Sequence, residues 1–279
     1  MTALPAVAPA STDTAPAGSR STVALLRVDA GLREAIPPEQ QRFAERVLLV
    51  PRRDLEQGRW APEALVGDGE RPFAAILLRG LVTHDVILAG RCSANLLGPG
   101  DVFRPWHRVD TSVPCDARWT ATGGATIAVL DERFLASARR WPGLSEVIYE
   151  RLAEQLEVAA VRAAIVGLPR VEERVLALFW QLADRWGVVR AGGVVVELAL
   201  THALIGHLVG AQRPTISLAL HALAEEGVLR RADSGAWTLA HDSRATLTSY
   251  PTDRIDDGPA VFARPLGRAT QTPVTVSAG

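Results

Sequence analysis

A chain of 279 residues is long enough for two domains, and with 48% hydrophobic residues it can bury a sizeable core. Its 30 basic residues, all arginine as GC-rich codon usage favours, balance 31 acids to a net charge of −1, which excludes a protein that coats polyanions by bulk charge. Two cysteines cannot alone hold an iron–sulfur cluster and lack zinc-finger spacing, no apolar run reaches membrane-spanning length, and the first residues lack the basic and apolar regions of a signal peptide. A cytoplasmic protein with reduced thiols, no metal and no membrane partner is expected.

Residues 1–22 are mostly Ala, Pro, Ser and Thr and predict a disordered tail. An amphipathic helical lead-in follows over 28–49, interrupted at Pro37-Pro38. From Val47 to Leu130, short apolar runs such as Phe73–Leu78, Val86–Leu88 and Thr126–Leu130 alternate with glycines at 80, 90, 98, 100, 123 and 124. Short strands separated by turns predict a small antiparallel roll over 23–140. The hydrophobic period then changes. Tyr149, Leu152, Leu156, Ala159, Ala163 and Val166 alternate by three and four along one helix over 141–168, as in a coiled-coil seam. The seam is expected to pair two copies, Ala159 and Ala163 permitting a close approach; the alternative folds it onto its own roll. Pro169 stops this helix, and Val171 to Trp186 forms another with Val175, Leu176, Phe179 and Leu182 inward.

A hairpin is expected over 188–198, turning at Ala191-Gly192-Gly193. Two short helices follow. Thr201 is placed to cap the first, His202 to Val209, and Gly210 falls where a left-handed C-terminal residue belongs. The second opens near Arg213, with Pro214 in its first turn. Leu204, Ile205, Leu208, Ile216, Leu220 and Leu223 form the apolar set between them, and Gly206 allows close approach. Strands around Asp233-Ser234-Gly235 complete the order helix, hairpin, two helices, hairpin, which is that of a winged helix-turn-helix over 169–240. Thr201, His202, Gln212, Arg213, Thr215, Ser217 and His221 are the side chains placed to bond base edges or phosphates of double-stranded DNA. A plain helical hairpin in a core is the alternative. Over 170–240, seven arginines meet seven acids, so any DNA footprint must come from charge placement. Residues 241–279, rich in Thr, Pro, Asp and Gly, predict a flexible tail with an apolar island at Val261-Phe262.

The glycine-punctuated roll, the seam helix and the winged helix together resemble the Crp/Fnr superfamily of bacterial transcription regulators over about residues 28–240. Leu96-Leu-Gly-Pro-Gly-Asp-Val-Phe and Leu200 to Leu229 carry the resemblance most specifically. It implies an α+β chain: an antiparallel β-roll like cyclic-nucleotide-binding domains, a long dimerisation helix and a C-terminal winged helix-turn-helix. It further implies a homodimer on a two-fold symmetric operator, with RNA polymerase a further candidate partner. Cyclic-nucleotide-binding members need a Glu and an Arg-Ser or Arg-Thr pair where this chain has Pro105, Cys115 and Asp116, so cyclic AMP is not the expected effector. Arg104, Trp106 and Arg118, with His107, Arg108 and Trp119 nearby, are candidates for an anionic or planar effector; the alternative makes the tryptophans core and the arginines solvated. A haem would need His84 or His107 as ligand. No cofactor is expected. The reader helix keeps one of the family's two reading arginines, Arg213, so a different operator is implied. No nucleophile elbow, phosphate loop or metal spacing is present, and no catalytic residue is assigned. The second reading of function is a small-molecule-sensing or protein-interaction module whose winged helix no longer reads DNA.

Overall fold

The computed structural model describes residues 21–66, 72–107 and 111–248. The expectations for most of both tails, the Val261-Phe262 island and Arg108 lie outside the described residues.

Strand β1 (Ser21–Ala24) leads into short helices α1 (Leu25–Val28) and α2 (Ala30–Glu34) and, after the break at Pro37, into α3 (Pro38–Val47). The roll strands are β2 (Leu49–Leu55), β3 (Gly58–Trp60), β4 (Ala74–Arg79), β5 (Val82–Leu88), β6 (Arg91–Leu97), β7 (Val102–Phe103), β8 (Cys115–Ala121) and β9 (Ala125–Leu130). The Asp131 carboxylate accepts the Phe134 N–H at 2.9 Å and so starts α4 (Glu132–Ala138). Next comes the long helix α5 (Pro142–Gly167). Beyond Pro169 lie α6 (Val171–Trp186), β10 (Gly187–Arg190), β11 (Gly193–Val196), α7 (His202–Val209), α8 (Arg213–Glu225), β12 (Leu229–Arg231), β13 (Trp237–Leu239) and α9 (Ala245–Thr248).

The expected α+β architecture is present. One antiparallel sheet runs β1-β2-β9-β4-β7, a second β3-β8-β5-β6, and the C-terminal sheet β10-β11-β13-β12. Strand alternation assigns each face of the first sheet to a different core. Ala75, Leu77, Ile127 and Val129 meet Val82, Leu97 and Ala121 of the second sheet, forming the interior of the roll. Ala74, Ile76, Ala128 and Leu130 point the other way, beneath Leu25, Leu32, Phe134, Trp141, Leu144 and Ile148 of the helices.

Helix α5 carries two stripes. Leu144, Ile148, Arg151, Gln155, Arg162 and Ile165 face their own chain: Leu144, Ile148 and Ile165 are buried, Arg151 forks onto Asp29 at 2.6 and 2.7 Å, and Arg162 donates to Gln181 at 2.7 Å. The second stripe is Tyr149, Leu152, Leu156, Ala159, Ala163 and Val166. All six are exposed, Tyr149 by 73% and Leu156 by 72%. The seam therefore does not fold back onto its own roll.

The winged domain sits against the outer face of the second sheet. Ala94 and Leu96 of β6 share one buried cluster with Ile205, Leu208, Ile216, Leu220, Phe179 and Trp237. The Leu-Gly-Pro-Gly-Asp turn reinforces this seat. Its Asp101, 4% exposed, accepts the Gly98 N–H at 2.7 Å, receives the Gln155 amide at 3.3 Å, and pairs with Arg185 at the end of α6. Burial holds the Asp101 carboxyl above its ordinary value, against the pull of Arg185. Gly98 lies under the Trp186 indole; a Cβ there would stand 2.3 Å from the ring.

The segment boundaries differ from expectation at both ends. Ser21 and Thr22, expected in the N-terminal tail, pair with Arg52 and Pro51 and belong to the roll. Residues 241–248, expected as flexible tail, form a 3-10 turn (His241–Arg244) and α9. Trp180 donates its indole N–H to the buried Ser243 hydroxyl at 3.2 Å, and that hydroxyl donates to the Ala240 carbonyl at 2.7 Å.

Candidate nucleic-acid interface

Helix α7 begins where the Thr201 hydroxyl accepts the Leu204 N–H at 3.2 Å, and it ends at Gly210, whose φ of +69° is left-handed. The turn between α7 and α8 is tight. A Cβ on Gly206 would sit 2.5 Å from the Ala211 carbonyl, so only glycine fits. Arg213 and Pro214 open α8, with Gln212 as its N-cap. Ile216, Ala219, Leu220 and Leu223 bury one face of α8 against α6 and α7, as the 3–4 spacing requires. Leu204 is half-buried against the same cluster.

The opposite face is exposed. Gln212, Arg213 and Thr215 have no side-chain partner among the described residues, and Leu218 is 71% exposed beside them. The first turn of α8 holds no acid and no side chain caps its N–H groups, so the helix dipole and Arg213 present positive potential at one place. His202 Nδ1 lies 2.9 Å from Ser217 Oγ, which itself donates to the Arg213 carbonyl at 3.2 Å. The serine hydroxyl stands between the imidazole and the carbonyl, and the histidine tautomer sets which of the two takes its proton. This bond ties the start of α7 to the start of α8. His221 stands farther along, exposed and 3.3 Å from Glu225. A concave surface lined by His202, Ser217, Leu220, His221, Arg231 and Trp237 joins the helices to the wing.

All seven candidate DNA contacts therefore lie on α8, its N-cap or the adjoining start of α7, although Thr201, His202, Ser217 and His221 already have partners in their own chain. Sequence reasoning did not single out the wing arginines. Arg230 and Arg231 are exposed on β12, and the Arg231 guanidinium lies 5.3 Å from the Trp237 ring centroid. The signal was present as an Arg-Arg pair at the start of the predicted hairpin. Seven arginines and seven acids still balance over 170–240, but placement separates them: Arg213 opens α8 while Glu225 and Glu226 close it.

The candidate effector residues do not converge. Arg118 pairs opposite Asp85 and shares that residue's outward face, whereas Trp119, the next residue, packs inward against Phe103 and Trp60. Adjacent strand residues point to opposite faces. Trp106 packs against the interior cluster, and Arg104 and Arg118 are exposed. The tryptophans are half-buried against the roll interior and the arginines solvated. His84 stacks on Trp119 at 4.4 Å between centroids, and burial lowers its pKa. Pro105 is buried, while Cys115 and Asp116 are exposed at the start of β8. Both cysteines are free.

Three comparisons agree with this arrangement. Residues 173–242 match the family model described as a Crp-like helix-turn-helix domain. The cyclic AMP receptor protein of Thermus thermophilus is 28% identical over 135 residues, covering 48% of this chain and 59% of that protein. The match thus spans less than two thirds of that relative. A cyclic nucleotide-binding domain containing protein from Listeria monocytogenes shares the fold with a TM-score of 0.56 at 16% identity, over 80% of this chain and 99% of that one. FixK2 from Bradyrhizobium japonicum does so with a TM-score of 0.53 at 19% identity, over 71% and 96%. Residues 173–242 thus form a Crp-like helix-turn-helix domain, and the roll, long helix and winged helix in this order are similar to the Crp/Fnr regulators.

Proposed function

We propose that this chain is a cytoplasmic transcriptional regulator that binds double-stranded DNA as a homodimer on a two-fold symmetric operator. The observation that carries the reading is the exposed opening of α8. Among the described residues, Gln212, Arg213 and Thr215 have no side-chain partner, and they project from a helix whose other face is locked into a core. A helix start of this kind fits a major groove, Arg213 forking onto guanine and Leu218 meeting a thymine methyl. Arg230 and Arg231 of the wing, and the free N–H groups of α8, supply phosphate contacts that fix register. The exposed apolar stripe on α5 supports pairing of two copies, which would present two reading helices.

The relative is named for cyclic AMP, but that effector is not carried over. The family positions for the ribose-binding Glu and the phosphate-binding Arg hold Pro105 and Cys115, and Asp116 would repel a phosphate. No helix among the described residues is long and apolar enough to cross a membrane.

The test is the salt dependence of binding to random duplex, read by fluorescence anisotropy. A DNA binder releases counterions and shows a log–log slope near −0.9 per phosphate neutralised, so roughly four contacts per dimer give a slope of about −3.6. A flat line would favour a protein-interaction module instead.

A further inference from the structure

The roll and the reading domain meet at a cluster that DNA binding does not use. Asp85 and Cys92 lie on the β5–β6 hairpin, where Asp85 pairs with Ala94 and Ile87 with Cys92. Cys92 is two residues before Ala94, so both side chains leave the sheet on its outer face. Ala94 and Leu96 on that same face are buried against α7, whose last turn carries His207. The Cys92 Sγ, one Asp85 carboxylate oxygen and one His207 ring nitrogen all lie within 4.8 Å of one another, and each residue is half-buried. Asp85 Oδ1 is buried and has no hydrogen-bond partner among the described residues. A buried carboxylate oxygen without a donor is costly unless a cation completes it.

We propose that Asp85, Cys92 and His207 bind one divalent transition-metal ion, Zn2+ fitting best, which fastens the helix-turn-helix to the roll. Thiolate and imidazole are donors for zinc and its neighbours, not for Mg2+ or Ca2+. Around tetrahedral Zn2+, with bonds of about 2.0–2.3 Å, donor atoms stand roughly 3.3–3.8 Å apart. Closing the observed cluster therefore takes about 1 Å of side-chain rotation. Three protein ligands leave a fourth position for water. Arg118, opposite Asp85 on β8, is exposed, so solvent screens its charge. The ligands come from two domains: the metal cross-links the reading helices to the sheet they rest on. The site stands whether or not α8 reads DNA.

The test uses the full chain, stripped of metal and titrated with Co2+ and then Zn2+. Wild type should take up one equivalent per protomer, with thiolate-to-Co2+ charge transfer and the visible bands of a tetrahedral ion. Cys92→Ala should abolish the charge-transfer band, and His207→Gln should weaken Zn2+ at least about tenfold against a chromophoric chelator. Cys115→Ser, on the other cysteine, should change neither. With wild type alone, Zn2+ should slow alkylation of Cys92 but not of Cys115, and slow amide exchange in α7. Absence of stoichiometric uptake, unchanged binding in both ligand variants, or unprotected Cys92 and α7 would overturn the site.

Discussion

Arg185→Ala should loosen the reading domain from the roll, and the structure sets the size of the effect. Asp101 has a side chain only 6% exposed, against 23% for Arg185. Removing one partner of a fully buried pair costs about 3–5 kcal/mol. Here Gly98 and Gln155 still donate to Asp101, and water reaches part of the site, so about 2–3 kcal/mol is expected. In a domain of this size that lowers the melting temperature by about 4–12 °C. The cost belongs to a stranded carboxylate, which gives two checks. Asp101→Asn keeps an oxygen for the Gly98 N–H and removes the charge, so the double variant should recover at least half the loss. Burial already raises the Asp101 carboxyl above its ordinary value, so its ionisation opposes folding. Its contribution is best at low pH and is lost as pH rises from the ordinary carboxylate value, about 4, through the higher folded one. The deficit of Arg185→Ala should therefore shrink between pH 7 and pH 4.5. Calorimetric melting of the three variants at both values decides it. A drop below about 1 °C, or a double variant no better than Arg185→Ala, would refute the buried-pair reasoning.

Leu156→Glu places a charge in the proposed seam at a site 72% exposed in one chain, so the protomer should stay folded while light scattering reports a monomer. A persistent dimer would put the interface elsewhere. Cyclic AMP should give no micromolar site by calorimetry, because Pro105 is buried and apolar while Cys115 and Asp116 stand exposed without the needed charge. A tight site would show that other residues of the roll hold the phosphate.

The helix-turn-helix was legible in the sequence because its determinants are local. Thr201, Gly210 and Pro214 fix the ends of α7 and α8 within a few residues, and the bounds His202–Val209 and the opening at Arg213 fall where they place them. The exposed apolar stripe of α5 was legible for the same reason: a period of three and four marks one face whatever the rest of the chain does. What was hidden depends on distant partners. Asp101 meets Arg185 across 84 positions, and the seating of Trp186 on Gly98 leaves no local trace. Asp85 and Cys92 reach His207 only once α7 lies on the sheet, and no spacing rule for metal ligands covers such an interval. The effector cluster failed through alternation, since Arg118 and Trp119 are adjacent in sequence but on opposite faces. Residues 241–244 read as tail because polar composition hides one buried serine beneath Trp180.

The central claim is that Arg213, at the opening of α8, reads a base pair in each half-site. The direct measurement is the affinity of wild type and Arg213→Ala for an operator recovered by mapping bound genomic DNA, and for variants of it at every position. A guanine fork is worth about 1–3 kcal/mol of discrimination. Arg213→Ala should bind the operator at least about tenfold more weakly and relax preference at one base pair per half-site, while His221→Ala, farther along α8, should lose less. If Arg213→Ala stays folded and dimeric yet binds operator and random DNA as wild type does, α8 is not the reading helix.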